Sequence, residues 1–105
     1  MITKKKSDTT QFLEKLSGKL TLPTFLIAIR QSEEASQAEF SKILGISRQY
    51  LCDIERNRRT ISPKVAATFA KKLGYSPQQF VRLCLQDLVN RAGLKLKIDV
   101  KNVAA

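Results

Sequence analysis

Five short α-helices, preceded by a helical extension and followed by one β-strand, are what this sequence predicts. Three observations carry that all-α reading. Apolar residues recur at three- and four-residue spacing in successive runs, the mark of helices that bury one face. Hydroxyl residues (Ser36, Ser47, Ser62 and Ser76) stand just ahead of four of those runs, where a side-chain oxygen can cap free backbone N–H groups. Proline falls in first turns at Pro23, Pro63 and Pro77, and glycine follows last turns at Gly45, Gly74 and Gly93. The chain divides accordingly into a basic extension over 1–20, a helical domain over 21–92, and a terminal dimerisation strand with its tail over 93–105.

The extension opens on Lys4-Lys5-Lys6, which reads either as a loose start or as a basic arm for a polyanionic partner. Phe12, Leu13, Leu16 and Leu20 then keep helical spacing, interrupted at Gly18. The first helix of the domain starts at Thr21-Leu22-Pro23, buries Phe25, Leu26 and Ile29, and fades by Ser32-Glu33-Glu34. Residues 36–59 carry the densest signals. Ser36 and Glu39 make a capping box, Phe40 and Leu44 share a face with small Ser41 beside them, and Gly45 stops the helix. Ile46 plugs the turn, Ser47 caps the next helix, and Leu51 and Ile54 point inward three residues apart.

Ser62-Pro63 opens the following helix, with Val65, Ala66, Phe69, Ala70 and Leu73 as its stripe and Lys71 and Lys72 in the last turn, where cations suit the helix dipole. Ser76-Pro77, with Gln79 for a second capping box, opens a last helix that runs to about Arg91. Its Phe80, Val81, Leu83, Cys84, Leu85, Leu88 and Val89 cover more than one stripe. The second apolar side is left for a subunit interface, carried by Leu85 and Leu88, or for the N-terminal segment. From Leu94 to Val100 apolar and charged residues alternate, the pattern of a half-buried strand. A lone strand cannot satisfy its own backbone. Leu94, Leu96, Ile98 and Val100 are therefore read as pairing across a homodimer, the alternatives being a different protein or a frayed tail.

The 36–59 stretch resembles the helix-turn-helix of the Cro/phage-repressor (XRE) family. The likeness rests on Gln37 opening the first helix, Gly45 at the turn, apolar Leu51 and Ile54, and the Ile54-Glu55-Arg56 close. Ser41 stands where the family usually has Ala, and Asn57 where it often has Gly; both are mild departures, since Asn tolerates the left-handed conformation. The resemblance covers about Thr21 to Asp87 and implies a five-helix, lambda-repressor-like domain. It also implies that the helix Ser47–Arg56 lies in the DNA major groove with its predecessor across the backbone. By position Arg48 and Gln49 become the base readers, with Tyr50 and Asp53 as weaker candidates; Arg suits guanine and Gln suits adenine. Gln37 and Ser47 are placed at phosphates. Arg56, Arg58 and Arg59 are expected to neutralise phosphates, against the plainer reading of surface ion pairs with Asp53 and Glu55.

Composition bounds the rest. At 105 residues this is one domain's length, with a net charge of +10 that calls for a polyanionic partner. The surplus is spread over extension, domain and tail, with its densest cluster at Arg56–Arg59. Cys52 and Cys84 are the only cysteines, far apart and in no CxxC, which fits reduced thiols in a reducing, cytoplasmic setting. No apolar run approaches a membrane span, and the N-terminus lacks the apolar core of a signal peptide. There is no His, so Ser-His-Asp and Cys-His catalysis and His-based zinc sites are out of reach. Adjacent Glu33-Glu34 point apart on a helix, and Gly18-Lys19 lacks a phosphate loop's upstream glycine.

The expected protein is a homodimeric, non-enzymatic transcriptional repressor, bacterial or phage-encoded by resemblance, that reads a near-palindromic operator without cofactor or metal. The alternative from the same resemblance is a DNA-binding antitoxin whose terminal segments also hold a toxin protein.

Overall fold

Hydroxyl caps fix where each helix begins. The computed structural model describes residues 20–103, with helices α1 (Leu22–Ser32), α2 (Gln37–Leu44), α3 (Arg48–Glu55), α4 (Pro63–Leu73) and α5 (Pro77–Arg91). The side chains of Thr21, Ser36, Ser47, Ser62 and Ser76 accept from the backbone N–H three residues on, at Thr24, Glu39, Tyr50, Val65 and Gln79. At α2 the box closes, because Glu39 Oε1 also accepts the Ser36 N–H at 2.8 Å. That bond holds the Glu39 carboxyl below the usual carboxylate range. At α5 only the serine half forms; the reciprocal Gln79 bond expected from the sequence is not among its interactions.

The helices also end alike. A residue with positive φ follows each one: Glu34, Gly45, Asn57, Gly74 and Gly93. The N–H after it turns back to the last full turn, as from Ile46 to Ser41 O (3.0 Å), Arg58 to Asp53 O (2.8 Å) and Tyr75 to Ala70 O (2.8 Å). Asn57 therefore does what glycine does elsewhere, and Arg91 Nη2 braces it by donating to its Oδ1 and, at 3.3 Å, to its O. Behind Gly45, Lys72 Nζ donates to Leu44 O at 3.0 Å, so a cation of α4 closes the exposed carbonyl end of α2.

The predicted stripes meet in one core. Phe25, Leu26, Ile29, Phe40, Leu44, Leu51, Ile54, Ala66, Phe69, Ala70, Leu73, Phe80, Leu83 and Cys84 are all buried, and Ser41 lies among them. Three residues join them that the periodicity does not pick out: Leu22, Ile61 and Tyr75. Tyr75 follows the α4 stop and stacks with Phe25 (5.4 Å, edge-on) and Phe80 (5.9 Å), giving an aromatic cluster where α1, α4 and α5 meet. Cys84 donates its thiol to Ile61 O, and burial pushes that thiol up; both cysteines are free. On α5 the expected second stripe stays half-covered, with Val81, Leu85 and Val89 half-buried and Leu88 exposed. Among the described residues no helix is long and apolar enough to cross a membrane.

The terminal strand is not found. Among the described residues there is no β-strand, and the segment after Gly93 runs beside α5. Side-chain amides take the place of a neighbouring strand. Gln86 donates to Leu96 O (2.7 Å) and accepts from Ile98 N (2.8 Å), while Gln78 donates to Val100 O. One glutamine thus serves a strand's donor and acceptor together, so the backbone is held without a ladder. The basic arm and the helix expected over Phe12, Leu13 and Leu16 lie outside the described residues. Leu20 packs partly buried against the core.

Two carboxylates drawn out of solvent tie the helices together. Glu55, at the end of α3, has a side chain only 5% exposed and accepts from Arg30 Nε (2.8 Å) and Nη2 (3.1 Å) of α1 and from Gln37 Nε2 (2.9 Å) of α2. Arg30 Nη1 reaches on to Ala35 O at 3.2 Å. Asp87, half-buried on α5, accepts the Leu22 N–H at the start of α1 (3.3 Å); its loss of solvent raises its carboxyl, opposed by that bond and by Arg91.

Breaking a buried pair from one side strands the other charge. Glu55→Ala is expected to cost about 3 kcal/mol in urea unfolding, and a loss under about 1 kcal/mol would contradict the arrangement. For Asp87 the sign is opposite. A raised folded-state pKa means the native state holds its proton longer than the unfolded chain, so stability falls as pH rises through that window. Asp87→Asn keeps an acceptor for Leu22 and should raise Tm at pH 7, the gain vanishing below the ordinary aspartate range; a lower Tm at pH 7 would count against it.

Candidate nucleic-acid interface

The exposed side of α3 is built from the residues its core side leaves over. Leu51 and Ile54 turn inward, and Arg48 and Gln49, the first two helical residues after the Ser47 cap, are exposed. Arg48 has no side-chain partner among the described residues. A cation in the first turn opposes the helix dipole, and α3 has no acid there to offset it. Stability alone would not choose this residue; a ligand carrying negative charge would.

Gln49 is oriented by its own helix. Its Nε2 donates to Asp53 Oδ1 at 3.0 Å, one turn on, which turns the amide's Oε1 and second N–H away from that contact. Asp53 also faces Arg58 Nη1 at 4.0 Å, a loose pair at the surface. Tyr50 behaves differently from its neighbours. It is half-buried against the core, and the Arg59 guanidinium lies over its ring at 4.3 Å from the centroid. Tyr50 is thus a platform that positions Arg59. Cys52 is half-exposed on the same helix.

The remaining predicted contacts fall around this helix. Ser47 Oγ accepts the Tyr50 N–H (3.0 Å), which leaves its hydroxyl hydrogen free to donate outward. Gln37 opens α2 half-buried, its Nε2 committed to Glu55, so the groups it can offer a ligand are its Oε1, its second amide hydrogen and its backbone N–H. Arg56, Arg58 and Arg59 are all exposed in the α3 exit turn. The alternative, surface pairing with Glu55, is not seen among the described residues, where Arg30 has taken that carboxylate. Only Arg58 has an acidic neighbour, and Arg56 has no side-chain partner among the described residues.

Sequence reasoning overlooked the supports of this face: Arg30 under Glu55, Arg91 under Asn57 and Lys72 under Leu44. A cation lying 25 to 34 residues from its acceptor leaves no local pattern; the one available signal was Glu55 in a last helical turn, where the dipole disfavours an acid. The residues expected at a dimer contact lie on α5 and the segment after it, with Leu88 lining a small cavity that also touches Arg59. Leu85 is half-buried and Leu88 exposed on α5, Leu94 and Leu96 are exposed, and Ile98 and Val100 are half-buried.

Comparison with known proteins agrees with this geometry. The family model described as helix-turn-helix matches residues 26–80, from α1 into the first turn of α5. Searches of curated proteins and of solved structures returned no match. With the match spanning more than half the chain and centred on the α2–turn–α3 unit, this protein belongs to the helix-turn-helix family of Cro/phage-repressor (XRE) type.

Proposed function

We propose that this chain is a sequence-specific regulator of transcription that binds double-stranded DNA as a homodimer and represses from a near-palindromic operator. The observation that carries the reading is α3: a family-matched helix with two buried aliphatics, an exposed Arg48 at its start and three arginines at its exit. In this reading the start of α3 enters the major groove. Arg48 reads a guanine, and Gln49, aimed by Asp53, reads an adenine. Tyr50 holds Arg59 toward the backbone, and Arg56, Arg58, Gln37 and Ser47 contact phosphates. Two copies would set their α3 helices about one DNA turn apart, roughly 34 Å.

The dimer draws on the half-covered stripe at Leu85 and Leu88 and on exposed Leu94 and Leu96. Those same leucines leave room for the antitoxin variant, in which a toxin protein takes the terminal segment while α3 binds DNA unchanged. Co-purification of a second protein in stoichiometric amount distinguishes the two.

Selection from a random duplex pool at about 150 mM salt should yield an inverted repeat, and recovery of no sequence would overturn the reading. Against the selected site, Arg48→Ala and Gln49→Ala should each cost about 1–3 kcal/mol and relax preference at one base pair. Arg58→Ala should instead weaken all sequences alike and lower the salt slope by about 0.9. The reverse assignment of those effects would show that α3 is docked differently.

A further inference from the structure

The segment 94–100 has two unlike edges. Leu96 O, Ile98 N and Val100 O all face α5 and are bound there by Gln86 and Gln78. Backbone groups of alternate residues share a side only in an extended chain, so the N–H and C=O groups of Lys95, Lys97 and Asp99 face the other way. None of these has a partner among the described residues. The same extension puts Leu94, Leu96, Ile98 and Val100 on one face, with Leu94 52% and Leu96 57% exposed. An open backbone edge beside exposed leucines is a template for another extended chain.

The sequence on this edge is complementary to itself. We propose that a second copy of the chain pairs antiparallel on this outer edge, centred on Lys97, so that the two segments form a two-fold ribbon between two α5 helices. In that register Lys95 of each copy lies opposite Asp99 of the other. Leu94 meets Val100 and Leu96 meets Ile98, so every apolar residue of the segment has an apolar neighbour across the ribbon. Lys97 meets its own copy on the solvent face, the one unfavourable pair. Moving the centre to Leu96 sets Lys95 against Lys97 twice. Moving it to Ile98 keeps Lys97 against Asp99 and Leu96 against Val100, but sets Lys95 against Lys101 twice and leaves Leu94 against Asn102. Moving it to Asp99 opposes the two aspartates and sets Lys97 against Lys101. The ribbon rests on the homodimeric reading above and assigns that dimer its contact and register.

The test is site-directed disulfide formation in the full chain carrying Cys52→Ser, with joined peptides identified by mass. Residues facing their own copy in a hydrogen-bonded pair have Cα atoms about 5.5 Å apart, within disulfide reach. Lys95 lies roughly 13 Å from its counterpart, four residues along the ribbon. Lys97→Cys should link to itself under mild oxidation at least tenfold faster than Lys95→Cys, and a mixture of Lys95→Cys and Asp99→Cys chains should link to each other. Lys97→Pro removes an outward N–H while sparing the groups held by Gln86, and should weaken self-association at least tenfold by sedimentation. Equal or faster linking at Lys95→Cys, no linking at Lys97→Cys, or unchanged association of Lys97→Pro overturns the ribbon. The same chains are assayed on the selected DNA. Retained selection of an inverted repeat without the Lys97 link rejects this register alone, whereas a Lys97 link with no DNA selected supports the ribbon and rejects the DNA reading.

Discussion

Glu55 is where the packing of the helix-turn-helix is decided. Its carboxylate, nearly out of solvent at the wrong end of α3 for a negative charge, is held by two nitrogens of Arg30 and one of Gln37. Burying an ion this way costs several kcal/mol unless its oxygens are well served, and here each oxygen is served. The consequence is geometric. One end of α3 is tied to α1 and to the opening of α2, so the two helices of the motif cannot change their mutual tilt without uncovering a charge. Leu51 and Ile54 would allow some sliding, since dispersion contacts have no direction; the bidentate arginine has a plane and a direction. A reading helix needs that fixity, because base-edge hydrogen bonds tolerate little displacement.

Around this anchor the α3 face is arranged in layers of mobility. Gln49 is aimed by Asp53 and Arg59 is laid on Tyr50, so both are partly ordered before any ligand arrives. Arg48 and Arg56 have no side-chain partner among the described residues. On the proposed reading, binding loses less rotamer freedom at the first pair than at the second. The exit turn that carries the arginines is itself held by Arg91 on Asn57, linking the basic cluster to α5, whose apolar side is assigned to the dimer.

Local chemistry made much of this legible in the sequence. Caps, glycine stops and stripes are set by residues within one turn of each other, so Ser36, Ser47, Ser62 and Ser76 and the stops at Gly45 and Gly74 emerge directly from the order of residues. The burial of Leu51 and Ile54, and hence the exposure of Arg48 and Gln49, follows from the same periodicity. Contacts across the fold were not legible. Nothing near Arg30 marks it as the partner of Glu55, and Tyr75 looks like a loop residue until the chain folds it between Phe25 and Phe80. The 94–100 segment shows the limit most clearly: its alternation predicted a strand, but a strand is defined by its neighbour, and the neighbour on the held edge turned out to be glutamine side chains on α5.

The account stands on α3 reading base edges in the major groove, and methylation interference on the selected duplex tests that directly. Methyl groups on guanine N7 project into the major groove, and those on adenine N3 project into the minor groove. The account predicts that binding is blocked by N7 methylation at guanines in two half-sites about one helical turn apart. Binding blocked only by N3 methylation, or by neither, would contradict it.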